Sequence, residues 1–240
     1  ATGSTGTCAA GTVTLTAATL TSGAHNITGR QTDAAGNQGA ASTALAVTID
    51  TSAPAATGTP DMTAATDSGS SNSDNNTTNQ TPQFTVSCEN GATVQLYTDN
   101  PAAGTATGTT GTCASSTVTL PAATLAAGAH NITARQTDAA GNQSVASSAL
   151  AVTVDTTAPT ISSVAPATNA YVNNTQVSYT FSEAAGSGSV TWTRTGGTAD
   201  GSSPHVQALT GGELATGAHS SITLTNNPTL VSGTIYTITW

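Results

Sequence analysis

The chain of 240 residues has no lysine and only three arginines, so no basic patch can form anywhere along it. Neutralising a nucleic-acid backbone needs several Lys or Arg side chains. The net charge of −9, from nine Asp and three Glu, adds repulsion, so nucleic-acid binding is excluded. Missing lysine also excludes Lys–Asn isopeptide crosslinks. No apolar run approaches the roughly 20 residues that a membrane-crossing helix needs, so this segment does not insert in a bilayer that way. Aromatic residues are scarce as well, with two Trp, two Phe and four Tyr. That excludes one large ring-filled core and leaves several small sandwiches built from Val, Ile, Leu and Ala. Only 6% of residues are charged, and Thr, Ser, Ala, Gly and Asn dominate. Disorder generally goes with high net charge and little hydrophobicity, whereas this chain carries regular apolar alternation.

The chain opens without Met inside a repeat, and reads as a window of a longer protein. Residues 1–54 and 106–159 align without a gap with 42 identities in 54 positions, a period of 105 residues. Cys8 matches Cys113, His25 matches His130, Asp33 matches Asp138, and "DTSAP" (50–54) matches "DTTAP" (155–159). The period is too long for solenoid repeats of 20–50 residues and fits an immunoglobulin-like sandwich of about 100. The repeated unit is therefore a whole domain.

Short runs of period 2, separated by Gly, Asn, Asp and Pro clusters, mark antiparallel strands with one buried face. They group Phe84, Val86 and Cys88; Ala92, Val94 and Leu96; Val118 and Leu120; His130, Ile132 and Ala134; and Leu150, Val152 and Val154. The fold class is all-β: tandem immunoglobulin-like Greek-key β-sandwiches, one complete and two partial. The expected domains are 1–53, carrying C-terminal strands only; 54–157, complete; and a divergent 158–240 lacking its last strand or strands. In the last, "TQVSYTFSE" and "GSVTWTRTGG" are read as a strand pair. "VSGTIYTITW" resembles the His130 strand, with Tyr236 near the histidine position.

Cys88 and Cys113 fall in the complete domain, and pairing them closes a 25-residue separation. In the chain-entropy picture that is worth about 3–4 kcal/mol. Cys8 repeats Cys113, so its partner is expected outside this segment. Disulfides of this kind belong to an oxidising, extracellular setting.

The acidic residues gather in turns. The F–G hairpin "DAAGNQ", the linker "DTSAP" and the B–C turn "ENG" should meet at one end, bringing Asp50, Glu89, Asp138 and Asn142 together. The long A–B loop places Asp67 and Asp74 near Asp155 at the other. Calcium takes six to eight oxygens from carboxylates, amides and carbonyls, and these seven residues are the candidate ligands of a structural calcium ion. Turn chemistry alone also favours Asp, Asn and Gly. His25 and His130 each follow a Gly-Ala turn, where sandwiches place a corner tyrosine bonded back to the chain. No nucleophile motif accompanies either, and the Gly-rich loops lack a following helix, so no enzymatic site is expected.

The segments "TDAAGNQSVASSALAVTVDTTAP", "PDMTAATDSGSSNSDNNTTNQTPQF" and "ENGATVQLY" resemble bacterial Ig-like repeats of giant surface adhesins of the biofilm-associated and RTX-adhesin kind. "APTISSVAPATNAYVNNTQVSYTFSE" resembles a second flavour of the same family. The resemblance covers nearly the whole chain. It implies export to the bacterial surface or medium, tandem sandwiches contacting neighbouring repeats of the same protein, and often calcium at domain junctions. Asp67, Asp74, Asp138 and Asp155 match its acidic positions, whereas Cys88 and Cys113 stand where such repeats usually carry none. The expected function is a stalk or filament serving adhesion or biofilm formation, with self-assembly into filaments as one form. A module binding carbohydrate or a host protein, with Tyr97, Tyr171 or Trp192 as exposed platforms, and a spacer in a larger secreted enzyme are the alternatives.

Overall fold

The structure, a computed structural model, describes residues 3–69, 71–99 and 105–240. The chain divides into two compact units, one from Ala1–Ser68 and Asn72–Asp155, the other from Thr156–Trp240 with Gly69–Ser71.

In the first unit, β1 (Gly23–Ile27) and β2 (Leu45–Ile49) form an antiparallel pair from the first copy of the repeat. Eight further strands follow: β3 (Asp61–Met62), β4 (Asn76–Thr77), β5 (Gln83–Ser87), β6 (Thr93–Thr98), β7 (Thr105–Thr112), β8 (Thr117–Pro121), β9 (Gly128–Thr137) and β10 (Leu150–Val154). One sheet has the order β3-β5-β8 and the other β4-β10-β9-β6-β7. Sequence neighbours β5 and β6 lie in different sheets, as do β8 and β9, which is the immunoglobulin-like sandwich arrangement. β4 joins β10 in parallel and the remaining pairs are antiparallel.

Alternation places Phe84, Val86, Val94, Leu96, Ile132, Ala134, Val152 and Val154 inside, each at most 2% exposed. Met62, Leu120, Ala122 and Leu125 close the same core. A disulfide joins Cys88, just after β5, to Cys113, just after β7, with Cα atoms 6.0 Å apart. It ties the two sheets together.

The abundance of Thr and Ser has a structural use. Where β9 runs past the end of β10, hydroxyls replace a neighbouring strand. Ser147 Oγ accepts from Ala134 N–H at 3.0 Å and Ser144 Oγ from Gln136 N–H at 3.1 Å. Each hydroxyl also donates to the carbonyl of the next residue, at 2.8 Å. Buried backbone groups carry a steep penalty when left unpaired, and a short hydroxyl side chain removes it without charge.

The second unit is built from β11 (Ile161–Ala165), β12 (Val177–Phe181), β13 (Ser189–Gly197), β14 (His205–Ala208), a 3-10 turn at Gly211–Leu214, β15 (Gly217–Ile222) and β16 (Thr234–Thr239). Its sheets are β11-β12-β15 and β14-β13-β16. β12 and β13 are both strands, but they do not pair as the sequence led us to expect. They lie in opposite sheets, because both inner faces are needed to bury Tyr179 and Phe181 against Val190 and Trp192. β16 pairs with β13 just as β9 pairs with β6, so Tyr236 stands on the counterpart of the His130 strand.

Candidate functional site

At the pole where β9 ends, Asp138 is consumed by its own hairpin. Its Oδ1 accepts from the N–H groups of Ala140 and Asn142 at 2.8 and 2.9 Å, and its Oδ2 from Asn142 Nδ2 at 2.9 Å. The Asn142 side chain, helped by these backbone donors, holds its carboxyl below the usual range against the opposing effect of burial. Asp33 repeats the arrangement with Ala35 and Asn37. Asn142 Nδ2 also reaches the Asp50 carbonyl at 3.2 Å, so the hairpin is bonded to the preceding linker. Asp50 Oδ1 caps Ser52 N–H, and Glu89 Oε1 accepts from Ala55 N–H at 3.0 Å. Gln136, buried, clamps the same corner by accepting from Glu89 N–H and donating to the Ala55 carbonyl. Asp50, Glu89, Asp138 and Asn142 therefore share one pole, and each carboxylate there accepts from backbone N–H groups.

The opposite pole differs. Asp67 is 5% exposed; its Oδ2 accepts from Asn75 N–H at 3.1 Å, while its buried Oδ1 has no hydrogen-bond partner among the described residues. Asp74 Oδ1 accepts from Asn76 N–H, turning the chain into β4. Asp155 N–H donates to the Thr77 carbonyl as β10 ends. Ser68 Oγ and the Thr77 and Thr78 hydroxyls surround this loop. Among the described residues no three Asp, Glu, His or Cys side chains form a metal-holding group. The oxygen-rich donor set around Asp67, with one buried carboxylate oxygen left over, suits a hard cation in chemistry. At the linker pole no buried carboxylate oxygen is left without a partner among the described residues.

The corner residues form a third set. Gly23, Gly128 and Gly217 all have φ between 103° and 132°, a region that favours glycine. Each opens a Gly-Ala-His start whose imidazole Nε2 folds back onto the carbonyl four residues earlier: His25 to Thr21 at 2.7 Å, His130 to Ala126 at 2.9 Å, His219 to Ala215 at 2.9 Å. His130 Nδ1 also lies 3.2 Å from the Asp99 carboxylate. The Ala126 carbonyl and then Asp99 raise the His130 pKa, outweighing burial. In the second unit the corner at the start of β16, the counterpart of β9, is Tyr236, whose hydroxyl accepts from Val231 N–H at 3.1 Å and donates to Asp200. Asp200 also pairs with His205 Nε2 at 2.7 Å. Bonds from Tyr236 and His205 hold the Asp200 carboxyl at a pKa of about 2.

Sequence reasoning found His130 and Tyr236 but missed Asp99, Asp200 and His205, the partners that fix them. It also missed His219, although "TGAHSS" repeats the "SGAHNI" start and was the available signal. His219 sits on β15, a different strand of the sandwich from β9, so the turn motif is shared while the strand is not. Of the three aromatic platform candidates, Trp192 is corrected to a core residue at 2% exposure. Tyr97 lies under Arg135, 5.7 Å from its guanidinium carbon, and Tyr171 is fully exposed. No helix among the described residues is long and apolar enough to cross a membrane.

Two family profiles match the chain, each described as a bacterial Ig-like domain, over residues 54–156 and 155–240. A comparison with curated proteins returned no match. A similar solved structure is described as the tetra-tandem repeat in the extending region of a large adhesion protein. It is 19% identical, with a TM-score of 0.33, over 89% of this chain and 53% of that one, so the chain spans about half of its length.

Proposed function

This chain belongs to the bacterial Ig-like domain families through residues 54–156 and 155–240, and from that premise we propose that it is a non-enzymatic extracellular spacer. Stacked sandwiches would hold a distal adhesive region away from a bacterial surface, as a stalk or filament in adhesion or biofilm formation. The observation that carries this reading is the repeat itself. With 42 of 54 positions identical across a 105-residue period, the copies present nearly the same surface. Copies bearing one surface serve length rather than the recognition of different ligands. The linker bond from Asn142 to Asp50 supports stiffness at one junction, and the disulfide fits an oxidising compartment. The test is deletion of one 105-residue period from the native surface protein. Imaged appendages should shorten by one domain with binding retained; loss of binding at unchanged length overturns the reading.

A structural calcium ion belongs to the same proposal, at the loop pole. Asp67 and Asp74 would supply carboxylate oxygens, Asp155 and neighbouring hydroxyls and carbonyls the remainder, and the ion would lock the A–B loop against β10. The buried, unbonded Asp67 Oδ1 supports it. Terbium luminescence and melting with and without chelator test it. Asp67→Asn should remove both the lanthanide signal and the chelator-sensitive part of the melting temperature. A melting temperature indifferent to chelator overturns it.

A further inference from the structure

The complete domain, residues 54–155, is entered at one pole and left at the other. Ala55 is fixed at the linker pole by Glu89 and Gln136, and Asp155 ends β10 at the loop pole. Tension along the chain therefore acts lengthwise on the strands, and two contacts carry it.

The first contact starts at the entry. Gly58 N–H donates to the Ser87 carbonyl and Thr63 N–H to the Gln83 carbonyl, each at 2.9 Å, and between them β3 pairs antiparallel with β5. The second lies at the exit. β4 and β10 run parallel, with Asn76 beside Thr153 and Thr77 beside Val154. Thr153 N–H donates to the Asn75 carbonyl and Asp155 N–H to the Thr77 carbonyl, both at 2.9 Å. β4 is also tied to the loop that joins it to β3. Asn75 N–H donates to Asp67 Oδ2 at 3.1 Å, the Thr77 hydroxyl to the Thr66 carbonyl at 2.6 Å, and Thr78 N–H to Ser68 Oγ at 2.7 Å.

Direction decides how the exit contact fails. Tension draws β10 forward from its C-terminal end and β4 backward from its N-terminal end. Because the strands are parallel, these opposite pulls slide one along the other and load the cross-strand bonds together. Hydrogen bonds weaken steeply once bent out of line. A slide of one residue, about 3.3 Å, therefore breaks the whole set.

The disulfide sets a second limit. Cys88 and Cys113 are 25 residues apart in sequence, with Cα atoms 6.0 Å apart. β6 and β7 lie inside this covalent ring and stay off the load path even after the fold has opened. At about 3.6 Å per residue, the ring shortens the stretched domain by about 80 Å.

We propose that residues 54–155 form a load-bearing module. The parallel β4–β10 contact is its mechanical clamp, and the Cys88–Cys113 ring is the stop that limits extension once the clamp gives. That tension reaches the chain in its native setting rests on the spacer reading. The clamp itself does not, because a pulling experiment supplies the tension, so the two readings fail separately.

The test stretches the full chain between tags at its two ends and records single unfolding events. The domain with the ring identifies itself, since its event alone should lengthen by about 80 Å when reductant is added. Its unfolding rate should rise with force as for a transition distance of about 3 Å. Thr153→Pro removes the N–H donated to Asn75 and should raise the rate at fixed tension about tenfold or more. Leu120→Ala empties a core site on β8 that stays packed while the clamp slides, so it should raise the rate less than about threefold. A transition distance above about 10 Å in the native chain, three residues of unzipping, overturns the clamp without any variant. So does a rate that Leu120→Ala raises as much as Thr153→Pro. An unfolding event that reductant does not lengthen overturns the stop.

Discussion

The complete sandwich of the first unit and the sandwich of the second fill similar interiors with different chemistry. The first relies on Val, Leu, Ile and Ala, a single Phe, and a disulfide between its sheets. The second has no cysteine. Tyr179 packs at 5.2 Å against Phe181 and 5.3 Å against Trp240, and Trp192 sits edge-on to Tyr236 at 6.3 Å. Rings bury more area per residue and prefer such edge and offset contacts. A small domain can therefore reach stability with few large side chains, or with many small ones and a covalent tie. The corners follow the same division. His130 with Asp99 fixes the start of β9 to a carboxylate following β6, and Tyr236 with Asp200 fixes the start of β16 to one following β13.

The strongest way to break this comparison is to remove a ring. Trp192→Ala should lower the stability of the second unit by about 3–5 kcal/mol, the usual cost of emptying a buried aromatic site. The first unit should be unaffected, as read by urea unfolding with hydrogen exchange assigning each transition. Next comes the tie: Cys88→Ala with Cys113→Ala should cost the first unit about 3 kcal/mol and leave the second unchanged. A reductant that moves neither transition would show that the aliphatic core suffices alone. Tyr236→Phe, which strips Val231 N–H and Asp200 of a partner, should cost about 1–2 kcal/mol with the ring packing intact.

The smallest effect is a pH dependence of opposite sense at the two corners. His130 has a raised pKa, so its contribution is complete below about 6.5 and is lost as pH rises through the folded value. Asp200 is depressed from 3.8 to about 2, so its contribution is complete above about 4 and is lost as pH falls through about 2. Raising the pH from 6 to 8 should thus weaken the first unit in the native chain and not in His130→Asn. Asp200→Asn should flatten the acid limb of the second unit. Imidazole and carboxyl NMR titrations give the direct check.

The candidate cation pole shows why some of this was legible and some was not. Asp67, Asp74 and Asp155 stood out because acidic residues are few in this chain, and strand order led us to expect them at one pole; among the described residues no three such side chains form a metal-holding group. The sequence could not distinguish the two poles. Asp138 and Asp67 are the same residue type in similar Asn- and Gly-rich turns. Only placement leaves Asp67 Oδ1 buried without a partner while both Asp138 oxygens accept from Ala140 and Asn142.

Local pattern alone determined the strands, the sandwich class, the repeated domain and the cysteine pair. Period-2 burial and a 105-residue identity are properties of the chain read along itself. Tertiary structure decided that β12 and β13 face each other across a core rather than pair, and that Trp192 lies inside. It also chose Asp99 and Asp200 as corner partners. Those outcomes depend on which distant segment arrives at a face. A strand's own residues state that it has a face to bury; the residues that bury it lie elsewhere in the chain.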